Sequence, residues 1–100
     1  MTAQIAIDRR QIADFCSRHH VRKLSLFGSV LRSDFRPDSD VDVLVELEPG
    51  YPIGFIRLAG MEIELSTILG RRADMRTAPE LSRYFRDEVL ATAEVQYAAA

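Results

Sequence analysis

The sequence predicts an α/β (α+β) domain in which a small mixed sheet of three to four strands carries helices on one face. Three features point there. Hydrophobic spacing switches repeatedly between the helical and the strand period, in the order helix, strand, short helix, strand, helix, strand, helix. In the clearest strand, Val41, Val43, Val45 and Leu47 line one side while Asp40, Asp42, Leu44 and Glu46 line the other. A length of 100 residues suffices for one core but hardly for two, so residues 1–100 are expected to form a single domain.

Asp8 can cap a first helix by accepting from its free amides, with Gln11 placed three residues on to reach back as in a capping box. Ile12, Phe15, Cys16 and His19 then share one helical face. From Val21 the period becomes two: Leu24 and Leu26 alternate with Lys23 and Ser25 in a first strand that stops at Gly28. Val30 to Asp34 makes a short helix, ended by the turn formers Pro37, Asp38 and Ser39. After the acidic strand, residues 48–52 (EPGYP) form a loop. Between Ile53 and Leu69, the residues Leu58, Met61, Leu65, Ile68 and Leu69 recur at helical spacing, and Gly70 stands where a helix end favours glycine. Residues 71–76 (RRADMR) read as a short strand with Ala73 and Met75 on one face and Arg72, Asp74 and Arg76 on the other. Thr77 as N-cap and Glu80 at N3 open a last helix striped by Leu81, Phe85 and Val89, which frays through AEVQYAAA into a tail. With the helices gathered on one face, the opposite face, carrying Asp40, Asp42 and Asp74, is expected to stand open to ligand.

Composition narrows the function. An apolar fraction of 47% with 28% charged residues is that of a globular domain, and no apolar run approaches the roughly 18 residues of a membrane span. No membrane association is expected. The first twenty residues lack the basic and apolar regions of a secretory signal, and the lone Cys16 allows neither an internal disulfide nor a zinc ribbon, so a cytoplasmic location is expected. Thirteen basic against fifteen acidic residues, a net charge of −2, argue against direct polynucleotide binding by bulk charge. A single nucleotide needs only a local arrangement of amides, a few cations and metal.

Asp40 and Asp42 are strand neighbours about 6.5–7 Å apart on one surface, and they repel when both are ionised. Either they face water and stay hydrated, or a hard divalent cation offsets the repulsion; Mg²⁺ suits two carboxylates completed by waters and phosphates. Gly28-Ser29 shifts the balance towards the second. A glycine at a strand end lets phosphate approach the backbone, the following amides can donate to it, and the serine hydroxyl adds a donor.

Gly28-Ser29, ten residues, then Asp40-Val41-Asp42 resembles the GS-x10-D-x-D signature of the DNA polymerase beta-like nucleotidyltransferase superfamily. More narrowly, residues 24–47, 64–81 and 86–98 are similar, in order, to the minimal nucleotidyltransferases, the MNT-type antitoxins encoded beside HEPN-domain toxins. The resemblance implies the nucleotidyltransferase fold, with Gly28, Ser29 and Ser39 at the nucleotide and Asp40 and Asp42 holding Mg²⁺. It further implies that Asp74 is the third carboxylate, helping to hold metal and activating the acceptor hydroxyl; on residue type alone, Asp74 between Arg72 and Arg76 reads equally as a surface salt bridge. Arg32 matches an arginine of the family's GSxARG stretch and would meet phosphate, whereas Ser33 replaces the glycine that follows, altering the local backbone that aims Arg32.

The expected activity is transfer of AMP from ATP to a hydroxyl, with loss of transfer in Asp42→Asn. The resemblance alone implies the target: a tyrosine of a HEPN toxin, neutralised within a hetero-oligomer. Two other readings use the same chain differently: a non-catalytic antitoxin that inhibits the toxin by occluding it, and a transferase acting on a small molecule. The remaining polar and aromatic residues read as structural. Cys16 is a small buried hydrophobe, His19 and His20 interact with the negative end of the first helix, Arg71 and Arg72 with that of the third, and Tyr84 and Phe85 flank the last helix. Tyr97 carries no assignment.

Overall fold

The computed structural model describes residues 5–32, 35–36, 38–51 and 54–99. Ser33, Asp34, Pro37 and Ile53, to which the sequence attached expectations, lie outside the described residues. The observed elements are α1 (Arg9–Arg18), β1 (Val21–Phe27), a 3-10 turn (Gly28–Leu31), β2 (Val41–Leu47), α2 (Phe55–Leu69), β3 (Ala73–Arg76), a second 3-10 turn (Ala78–Glu80), α3 (Arg86–Thr92) and β4 (Glu94–Ala98). The four strands run in the order β3-β2-β1-β4, with β1 antiparallel to β2 and β4 and with β2 parallel to β3. The sheet is mixed, as expected.

Most local signals act as their chemistry predicts, but the short helix expected from Val30 to Asp34 is instead a 3-10 turn over Gly28–Leu31, with Arg32 already extended at ψ 150°. Asp8 caps α1 by accepting from the amides of Arg10 and Gln11 through Oδ1. Gly70 ends α2 in the left-handed conformation, at φ 69°. Ile12, Phe15 and Cys16 of α1 and Met61, Leu65 and Leu69 of α2 pack against Leu24, Leu26, Val41, Val43 and Val45 of the central strands. The half-buried His19 closes this layer, its Nε2 paired with Glu64 Oε1 of α2 at 2.8 Å, while Arg18 pairs with the same carboxylate. The β3 edge is closed by α2, since Ser66 Oγ accepts from the Ala73 amide and Glu62 Oε2 from the Met75 amide, each at 2.8 Å. Among the described residues, no helix is long and apolar enough to cross a membrane.

The last third of the chain departs from expectation. Thr77 and Glu80 do form a capping box, but they cap only a 3-10 turn, after which Leu81 is extended at ψ 144° and α3 begins at Arg86. Ser82 imposes the second start: its Oγ accepts from the Tyr84 amide and its carbonyl from the amides of Phe85 and Arg86. The Arg86 guanidinium donates to the carbonyls of Pro79 and Leu81, which the broken helix leaves without intrahelical partners. The final segment is not a fraying helix either: residues 94–98 form β4 along the free edge of β1. Alanine-rich local propensity yields there to the ladder that a bare β1 edge offers, with Gln96 buried. The face opposite α1 and α2 is consequently only partly open, because Leu81, with Val89 and Ala93 beside it, covers Phe27 and Leu44.

Candidate active site

The strand ladder builds the site. β2 lies between β1 and β3, and its register places Phe27 opposite Asp42 on one side and Asp74 opposite Asp42 on the other. Residues that alternate with the buried Val41 and Val43 must face away from the helices, so Asp42 and Asp74 share the far surface of the sheet. Asp40 precedes β2, about half exposed, where the Val41 amide donates to the Arg72 carbonyl at 2.8 Å and ties the strand start to the strand below.

Gly28 joins this group through space. At φ +76° it adopts a conformation that side chains rarely take, and a Cβ there would stand 2.5 Å from Asp42 Oδ2. The glycine is required twice, once for the turn out of β1 and once for the room beside a carboxylate. The 3-10 turn that follows lacks a side-chain cap from Phe27, and the Ser29 carbonyl accepts from the Arg32 amide at 2.9 Å. Half-buried Ser39 donates its amide to the Arg36 carbonyl at 3.1 Å in the turn leading to Asp40.

Electrostatically, the three carboxylates are in conflict. Burial, then the neighbouring charges of Asp74 and Asp40, hold the Asp42 carboxyl above its ordinary range, while Arg76 and Arg32 pull it back down. Arg76 Nη2 lies 3.3 Å from Asp74 Oδ2, and Arg72 Nε lies 4.0 Å from Asp40 Oδ2. The sequence offered both arginines as salt-bridge partners of Asp74; the structure pairs Arg76 with Asp74 and sets Arg72 beside Asp40 instead. An open groove of 810 Å³ runs from Asp40 and Asp74 past Arg72 and Arg76 to the outer side of α2.

All candidate donors are carboxylate oxygens, a hard set. Among the described residues, no three His, Cys, Asp or Glu side chains are gathered closely enough to enclose an ion by themselves. Carboxylate oxygens suit a hard cation such as Mg²⁺, which commonly takes one or two carboxylates and completes its octahedron with waters and substrate phosphates.

The other candidates stay away from this face. Cys16 is fully buried and unpaired, and burial pushes its thiol up to about 12, which removes it as a nucleophile. His20, at φ 57°, stacks on Tyr51 with ring centroids 3.7 Å apart at the start of β1, the length of a strand from Asp42.

Comparison with known proteins agrees with this fold. The sequence profile of the nucleotidyltransferase domain family matches residues 9–95. A protein of Methanocaldococcus jannaschii assigned as a protein adenylyltransferase is 31% identical over 82 residues, covering 82% of this chain and 86% of that protein. The protein adenylyltransferase MntA of Thermococcus cleftensis is 38% identical over 58 residues, 58% of this chain and 57% of the relative. A solved structure described as a minimal nucleotidyltransferase superposes with a TM-score of 0.69 at 34% identity, covering 85% of each chain. A toxin–antitoxin structure with AMP-PNP shares the fold at a TM-score of 0.73 and 16% identity, over 93% of this chain and 75% of its own. On the strength of the matched length, the identity and the shared sheet, the chain belongs to the nucleotidyltransferase domain family, among its minimal, MNT-type members.

Proposed function

We propose that residues 1–100 act as one minimal nucleotidyltransferase domain that transfers AMP from ATP to a hydroxyl of a partner HEPN-type toxin, a tyrosine by choice, and so neutralises it in the cytoplasm. The observation that carries this reading is the meeting of Gly28, Asp42 and Asp74 across three strands, with the missing Cβ of Gly28 leaving space beside the Asp42 carboxylate. The protein adenylyltransferases among its relatives and the toxin–antitoxin complexes among its fold neighbours support the same assignment.

In this reading Gly28 and Ser29 receive the triphosphate through backbone amides and the Ser29 hydroxyl, Arg32 adds positive charge, and Ser39 orders the turn that presents Asp40. Asp40 and Asp42, with Asp74, would hold Mg²⁺, which when bound offsets the charge of carboxylates and phosphates and aligns the reacting groups. The acceptor oxygen forms a bond to the α-phosphorus as the bond to pyrophosphate breaks, and Asp74 receives the hydroxyl proton. Positioning and charge do most of the work, as elsewhere in phosphoryl chemistry.

The test is the intact mass of a HEPN-type partner after incubation with the chain, ATP and Mg²⁺, beside an Asp42→Asn control. A gain of one or more AMP units, absent with the control, is the expected result. An unmodified partner in a stable complex would replace transfer by occlusion, and modification of a small molecule by the chain alone would remove the protein acceptor.

A further inference from the structure

Helix α2 is apolar on two sides. One side, Met61, Leu65 and Leu69, is buried in the core. The other carries Ile56, Ala59, Gly60, Ile63 and Thr67, at spacings i, i+3, i+4, i+7 and i+11, and there Ile56 is 92% and Ile63 71% exposed. A helix apolar on both sides is normally covered on both, and nothing among the described residues covers this one. Charge does not interrupt the stripe, which is about 17 Å long at 1.5 Å per residue, the span of three helical turns.

Gly60 adds an independent observation. In a helix interior, glycine costs about 0.5–1 kcal/mol relative to alanine, yet a Cβ at Gly60 would meet nothing within 4 Å. No contact within the described chain requires that glycine. A second helix crossing at Gly60 and Ala59 would, because small residues let two helix axes approach closely.

The stripe is also continuous with the candidate active site. Ala59, Ile63 and Thr67 form one wall of the groove whose other wall holds Asp40, Asp74 and Arg76. Ser66 and Glu62 already occupy the Ala73 and Met75 amides on the β3 edge, so an occupant of the groove meets side chains instead of adding a strand. We propose that the outer face of α2 is the docking surface for the protein acceptor, which lays an apolar helix across Gly60 and thereby delivers its hydroxyl along the groove to Asp74. This rests on the protein-acceptor reading above and names the surface that selects the acceptor.

The test compares three variants with wild type against the same HEPN-type partner: Ile56→Lys/Ile63→Lys, Gly60→Leu, and Leu90→Lys as a control on exposed α3. Partner affinity, AMP gain by mass, Mg-ATP binding and the unfolding midpoint are measured together. The double variant is expected to bind the partner about 100-fold more weakly, as loss of two interface anchors does, and to lose AMP transfer at limiting partner, with Mg-ATP binding and the midpoint unchanged. Gly60→Leu is the sharper probe: it should keep or raise the midpoint, since leucine is the better helix former, while weakening the partner as much. Leu90→Lys should leave affinity and transfer unchanged. Wild-type affinity in the double variant or in Gly60→Leu overturns the proposal. So does a dimer of this chain alone that the double variant breaks, which would make a second copy the occupant. A wild-type chain that binds the partner but adds no AMP defeats the transfer reading and leaves docking to be judged by affinity.

Discussion

The two sides of β2 obey opposite rules. Val41, Val43 and Val45 are at most 2% exposed and sit in the main core, where alternation alone secures them against α1 and α2. On the other side Asp42 is pressed between burial and two like charges, and its carboxyl is harder to ionise than usual. One side stabilises the fold throughout; on the other, Leu44 packs beneath Leu81 while Asp42, two residues away, opposes folding. Conflicts of this kind are expected where function, not folding, selects the residue.

The comparison breaks most visibly at Asp42 itself. Asp42→Asn should lower AMP transfer about 1,000-fold or more, roughly 4 kcal/mol of transition-state stabilisation, as measured by single-turnover transfer. The same substitution should raise the unfolding midpoint at pH 7, modestly because water screens a half-exposed carboxylate. The sign follows from linkage. A folded-state value raised above the unfolded one stabilises the protein below the unfolded value and is lost as pH rises through the folded one. Ionised Asp42 thus weakens the native state at neutral pH, and the advantage of the variant should fade in acid. A variant no more stable than wild type at pH 7 would remove the conflict.

Val43→Ala, two atoms smaller on the opposite side, should do the reverse: about 2 kcal/mol lost in chemical denaturation, with transfer per folded molecule retained. Gly28→Ala falls between the two sides. The strained φ and the 2.5 Å approach to Asp42 should together cost about 1–2 kcal/mol, and transfer should fall although no carboxylate has been removed. Unchanged transfer in Gly28→Ala would separate the glycine from the site.

The smallest effect lies outside the sheet. Hydrogen bonds from Arg18 and then His19 hold the Glu64 carboxyl below its usual range. A lowered folded-state value gives stability that is present above the unfolded value and lost as pH falls through the folded one. Glu64→Gln should therefore be less stable than wild type by under about 1 kcal/mol at pH 7, as expected for a mostly solvated pair, and the two should converge in strong acid.

Much of this was legible beforehand because it is local. The Asp8 cap, the Gly70 terminus and the period-two alternation of β2 each depend on residues a few positions apart, and the Gly28-Ser29 to Asp40-Val41-Asp42 spacing is contained within fifteen consecutive residues. The capping box at Thr77 and Glu80 was equally legible, yet it overstated the helix behind it. Ser82 offers a competing start, and a cap records where a helix can begin, not how far it runs.

What the sequence by itself determined is the set of elements with strong local periods, the side of β2 that is acidic, and the chemical class of its donors. What only the tertiary structure decided is non-local. β4 exists because β1 has a free edge, Leu81 closes part of the far face because the last helix breaks, and Asp74 meets Asp42 because β3 adds in parallel at one register. Gly28 stands beside that carboxylate for the same reason. A one-residue slip between strands would turn every one of these side chains to the other face, and no local signal sets which register strands distant in sequence adopt; packing the valine side of the sheet against α1 and α2 does.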